Sequence, residues 1–149
     1  MTTDLYTWAT ARCAKQEFSR ADICSKLMGK GASAEEARTL TERLVDERYV
    51  DDARFAAAFV ADKIRFDHWG RIKIRYMLHL KGVADDLVEE ALEQIDETAY
   101  TETLKQFLNS RLRSAQAATP FALRQKVART AIGRGFEPSL VFRLLNMEE

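Results

Sequence analysis

A basic residue, a glycine and a small or apolar residue recur three times, as Lys30-Gly31-Ala32, Lys81-Gly82-Val83 and Arg134-Gly135-Phe136. The glycines stand 51 and 53 residues apart. Recurrence at this period predicts one structural unit used three times. It directs the search for function away from a single catalytic pocket and toward an extended surface.

Aligned on the glycines, the apolar residues fall into register. Eight residues before them stand Ile23, Ile74 and Val127, and four before stand Leu27, Leu78 and Ala131. That is i, i+4 spacing on one helical face. Six after stand Ala37, Val88 and Val141, and nine after stand Leu40, Ala91 and Leu144, an i, i+3 stripe on a following helix. Leu44 and Ile95 extend this stripe thirteen residues after the glycine, where the third unit has Glu148. Upstream, Leu5 and Trp8, Phe55 and Phe59, and Leu104, Leu108 and Leu112 mark a further helix per unit. The reading is all-α: three tandem three-helix repeats over 1–48, 49–97 and 98–149, forming an elongated curved array. One such unit alone has too little buried surface to be comfortably stable. Tyr49-Val50 and the stretch from Asp96 to Thr101 are read as the links.

The punctuation agrees. Ser19 and Ser33 stand three residues before Asp22 and Glu36, and the second pair has the form of a capping box. Asp51 and Asp52 place negative charge at a helix start. Thr119-Pro120 and Glu137-Pro138 put proline in the first turn. Gly31, Gly82 and Gly135 fall where a left-handed C-terminal cap is expected. No stretch alternates with the period of a strand.

The bulk numbers exclude some classes. With 46% hydrophobic and 31% charged residues, the 149-residue chain has a foldable balance. The longest apolar run, Phe55 to Ala61, is far too short to span a membrane. Asp4 and the lack of a basic-then-apolar start give no secretory signal. Cys13 and Cys24 make no disulfide framework, so a reducing, cytoplasmic setting is expected. Gly29-Lys30-Gly31 lacks the rest of a phosphate loop and reads as a helix end. His68 and His79 have no cysteine or carboxylate at ligand spacing, so no metal is expected. Nothing assembles a nucleophile, a base and an orienting group.

The net charge is zero, yet the charges are segregated. Six cations and one anion lie between Lys63 and Lys81, eight anions and no cation between Val83 and Glu102, and seven cations and no anion between Lys105 and Arg134. Solvated helix faces and dipole complementation account for most single charges. Their register adds something. Arg20, Arg71 and Arg124 each stand eleven residues before a glycine; Lys30, Lys81 and Arg134 stand one before; Lys73 and Lys126 stand nine before. A cation at each end of one helix per unit would draw a stripe able to follow phosphates or an acidic groove. Trp69 and Tyr76, beside the basic helix, either stack on a base or cover a seam between units.

These residues resemble a known family. Tyr49-Val50-Asp51-Asp52-Ala53-Arg54-Phe55-Ala56, then Phe59-Val60, Gly70-Arg71-Ile72-Lys73-Ile74 and Leu80-Lys81-Gly82-Val83 are similar to the signature of the bacterial RecX regulatory proteins. Ser19, Asp22-Ile23, Lys26-Leu27 and Arg134-Gly135-Phe136 extend the resemblance through nearly the whole chain. It implies a protein without catalytic activity or cofactor. Such a protein binds the RecA recombinase polymerised on single-stranded DNA, lies in the filament groove, and suppresses ATP hydrolysis, filament extension and strand exchange. It also implies contact with single- or double-stranded DNA. The chain is expected to act as a monomer, away from membranes. The contact surface is expected to comprise Arg20, Arg71, Lys73, Arg75, Lys81, Arg124, Lys126, Arg129 and Arg134. On this reading, reversing Arg71 and Arg75 to Glu leaves the fold intact and abolishes inhibition. The competing reading is a stand-alone nucleic-acid-binding helical repeat protein.

Overall fold

The computed structural model describes residues 2–147, and Glu148 lies outside them. Nine helices and no strand are found among the described residues: α1 (Thr2–Cys13), α2 (Arg20–Gly29), α3 (Ala34–Asp46), α4 (Asp52–Arg65), α5 (Arg71–Leu80), α6 (Asp85–Glu93), α7 (Glu97–Ser114), α8 (Pro120–Gly133) and α9 (Pro138–Leu144).

The start signals act as caps. Ser19 Oγ accepts from the Asp22 amide at 3.0 Å. Ser33 and Glu36 close a reciprocal capping box at 3.1 and 3.0 Å. Asp51 accepts from the Arg54 amide at 3.0 Å, and Thr119 from the Ala122 amide at 3.0 Å. Each satisfies an amide that the first helical turn leaves without a partner.

The recurring tripeptide is a Schellman motif made three times. Gly31, Gly82 and Gly135 have φ of 106°, 80° and 96°. The following amides, of Ala32, Val83 and Phe136, bond back to Leu27, Leu78 and Ala131 at 3.1, 3.2 and 3.3 Å. Each of these residues is then buried, which supplies the apolar contact that completes the motif. The same turn closes α3 and α9 without glycine, on Arg48 (φ 66°) and Asn146 (φ 58°). Their successors Tyr49 and Met147 bond to Leu44 and Phe142 at 2.8 Å.

Tertiary contacts gather the chain into two units, one holding the chain up to Phe59 with Leu78–Ala91, the other Val60–Met77 with the chain from Leu92. The first is cored by Phe18, Ile23, Leu27, Leu40 and Leu44. The second is cored by Tyr100, Leu104, Phe107, Leu108, Val127 and Phe136. The expected apolar faces of α2, α5 and α8 are buried throughout.

Four details differ from the sequence reading. The expected link from Asp96 to Thr101 is instead the N-cap and first turn of α7, because Asp96 accepts from the Ala99 amide at 2.8 Å. Ile95 lies beyond the end of α6 and is only half-buried. At α9 the buried pair is Val141 and the C-cap Leu145, so the stripe there runs i, i+4 and Leu144 is half-exposed. Helix α8 starts a full turn earlier relative to its glycine than α2 and α5 do, which puts Arg124 inside the helix rather than at its start.

Candidate partner-binding surface

In each unit, the start of one helix in the α2/α5 series meets the glycine turn of the next three-helix segment. In the first unit the Arg20 amide donates to Asp52 at 2.8 Å. Lys81 pairs with Asp22 at 3.1 Å and lies 5.9 Å from the Phe55 ring. Ala21 Cβ sits 3.7 Å from where a side chain at Gly82 would begin. The Arg20 guanidinium pairs with Glu42.

The second unit repeats the arrangement with backbone instead of side chains. The Gly70 amide donates to the Arg134 carbonyl at 2.9 Å, and the Ile72 amide to the Gly135 carbonyl at 3.0 Å. The positive end of α5 therefore faces the carbonyls that close α8. The Arg71 amide donates to the Tyr100 hydroxyl at 3.0 Å, which in turn donates to Glu137 at 2.5 Å. The Arg71 guanidinium, 15% exposed, pairs with Glu137 at 2.6 Å and with Glu97, and lies 3.9 Å from the Tyr100 ring centre. Arg134 donates to the Asp67 carbonyl at 2.9 Å beside Phe107. Burial and the bond to Glu137 push the Tyr100 phenol well above its ordinary pKa. Burial alone would raise Glu137, but hydrogen bonds from Tyr100 and Arg71 outweigh it and hold this carboxyl below the usual range.

The nine expected contact residues thus divide. Arg71, Lys81 and Arg134 are tied into the seams by their side chains, whereas Arg20 lends a seam only its amide, its exposed guanidinium pairing with Glu42 of its own segment. Lys73 is half-buried, with its ammonium 4.4 Å from the Trp69 ring. Arg75 is half-buried on α5. On α8, Lys126 and Arg129 are exposed, and Lys126 also donates to the Gln116 carbonyl at 3.2 Å. Arg124 is half-buried, and its Nε has no hydrogen-bond partner. Of the two aromatics beside the basic helix, Trp69 is seated between Lys63 and Lys73, whereas Tyr76 stands in solvent. Among the described residues, no three His, Cys, Asp or Glu side chains are placed to hold a metal ion. No described helix is long and apolar enough to cross a membrane.

Comparison with known proteins decides the family. The regulatory protein RecX of Prosthecochloris aestuarii is 34% identical over 137 residues, covering 88% of this chain and 84% of its own. The chain belongs to the RecX family. RecX of Xanthomonas axonopodis pv. citri is 32% identical over 83% of this chain and 74% of its own. The family's second three-helix domain matches residues 51–92, and its third matches residues 98–145. A crystal structure of a regulatory protein RecX superposes with a TM-score of 0.81 at 25% identity, over 99% of this chain and 74% of that one. RecX from Lactobacillus salivarius, at 17% identity, shares the fold with a TM-score of 0.80 over 97% of this chain and 94% of its own. In RecX terms, the Gly70/Gly135 contact joins the second domain's middle helix to the third domain's glycine turn. Sequence reasoning missed Tyr100 and Glu137 as its partners; the only hint was an aromatic and an acid at helix starts.

Proposed function

We propose that this protein binds RecA–single-stranded DNA filaments in their groove and inhibits RecA ATP hydrolysis, filament extension and strand exchange. Membership of the RecX regulatory family is the observation that carries this reading. The protein acts by occupancy, without catalysis or cofactor, as a cytoplasmic monomer. A tandem array contacts several filament subunits at once, so weak contacts multiply. The cations that make the contact are Arg20, Lys73, Arg75, Arg124, Lys126 and Arg129, while Arg71, Lys81 and Arg134 chiefly hold the seams. Direct contact with DNA, single- or double-stranded, draws on the same basic side chains.

The test is RecA ATP hydrolysis on single-stranded DNA, titrated with wild-type protein and with Lys126→Glu/Arg129→Glu. The expected results are inhibition by the wild type and a midpoint raised roughly tenfold for the double variant, a loss of about 1.4 kcal/mol. Both side chains are exposed, so the melting temperature should stay put. Hydrolysis untouched by the wild type at any concentration contradicts the function. Equal midpoints contradict the assignment of these two residues.

A further inference from the structure

Helix α5 carries large apolar side chains on the face opposite its buried one. Ile74 and Leu78 are fully buried, whereas Ile72, Tyr76 and Leu80 are 47%, 62% and 63% exposed. At i, i+4 and i+8 these three form one stripe, about half a turn of the helix away from the buried pair. The glycine register shows that this stripe is peculiar to the middle segment. The residues ten, six and two before the glycine are Ala21, Ser25 and Gly29 on α2, and Gln125, Arg129 and Gly133 on α8. All six are exposed, as their counterparts on α5 are, but they are small or polar. The middle segment alone puts isoleucine, tyrosine and leucine where folding asks for nothing apolar. Burying three such side chains in a partner is worth about 1.5–3 kcal/mol each before the costs of association.

The chemistry of the stripe selects its occupant. Single-stranded nucleic acid is gripped by successive aromatic faces. Here Tyr76 has an aliphatic side chain one turn away on either side. Isolated anchors at helical spacing are the pattern of a helix laid in an apolar protein groove. Besides Arg71, which Glu97 and Glu137 neutralise, helix α5 carries Lys73 and Arg75 and no Asp or Glu, so the surface it meets is anionic at its edge. A second copy is the wrong partner. A two-fold pairing would set one cationic α5, without Asp or Glu, against another. The stripe also offers only roughly 300 Å², below the roughly 800 Å² per partner of a stable dimer.

We propose that Ile72, Tyr76 and Leu80 of α5 seat in an apolar, carboxylate-rimmed groove of a protein partner, which, resting on the function proposed above, is the RecA filament. The test is Ile72→Ser/Tyr76→Ser/Leu80→Ser in the full chain, with a thermal melt to establish that it folds. The expected result is an inhibition midpoint raised tenfold or more, since anchor residues of an interface typically carry that much affinity each. A variant folded like the wild type whose midpoint stays within about twofold overturns the inference and leaves the function standing. A wild-type protein that neither binds nor inhibits the filament overturns both. Should the triple variant fold poorly, Tyr76→p-benzoylphenylalanine, irradiated on RecA–single-stranded DNA filaments, replaces it. Cross-linking to RecA supports the proposal, while adducts only with DNA or with a second copy overturn it.

Discussion

Gly135→Ala is expected to cost about 3–5 kcal/mol and to lower the unfolding temperature by about 10 °C. Two effects add. At φ 96°, alanine is strained by about 1–3 kcal/mol. Its Cβ would also stand 2.4 Å from the Lys73 Cβ and 2.5 Å from the Lys73 amide nitrogen, atoms that move only if α5 moves. The first unit supplies the control. Gly31 has φ 106° in the same turn, but nothing lies within 4 Å of an added Cβ there. Gly31→Ala should therefore show the strain alone, about 1–3 kcal/mol. Gly70→Ala should show the crowding alone, because its Cβ would meet the Gly135 carbonyl at 2.4 Å without a left-handed φ. Urea and thermal melts of the three variants read the difference. Equal losses at Gly31 and Gly135 would mean that the backbone seam does not hold the second unit together.

Arg71→Glu is expected to destabilise by about 3–5 kcal/mol. This reverses what the charge pattern suggested, namely that Arg71 could be inverted without harm to the fold. The side chain is largely buried and bridges Glu97 and Glu137 over the Tyr100 ring. Inverting it removes two charge-assisted hydrogen bonds and puts a third carboxylate among the other two. Arg71→Lys should recover only part of the loss, because an ammonium cannot reproduce the planar fork that reaches both acids. Lys126→Glu, at an exposed site, should move the melt by about 0.5 kcal/mol or less. Loss of RecA inhibition in Arg71→Glu would thus report unfolding rather than a contact. An Arg71→Glu protein as stable as the wild type would contradict the seam.

The repeat was legible because each glycine turn carries three separate signals: a residue free to take positive φ, an apolar residue after it, and an apolar pair before it. Where one signal was missing, the reading slipped. Arg48 and Asn146 make the same turn without glycine, since side-chain identity only biases φ and the contacts of Tyr49 and Met147 complete the turn. Asp96 was read as the start of a link because an acid after the end of one helix marks a loop as readily as the next helix's cap. The family was legible from the run Tyr49 to Val60 and the stretch around Gly70 and Gly82. The site was less so. Regular spacing put Arg71, Lys81 and Arg134 in an outward stripe, yet a recurring position is equally the mark of a recurring internal contact. Carboxylates that neutralise Arg71 lie 26 and 66 residues away in sequence, beyond the reach of any local pattern. The apolar stripe of α5 is visible from sequence only when the outward positions of the three helices are set side by side.

Co-sedimentation with RecA–single-stranded DNA filaments, beside RecA alone and DNA alone, tests the central claim most directly. The account predicts that the protein pellets with the filament and stays in solution with RecA alone. Any pelleting with bare DNA should be weaker and fall steeply with added salt. A protein that stays in the supernatant with the filament, or that pellets equally well with DNA lacking RecA, contradicts it.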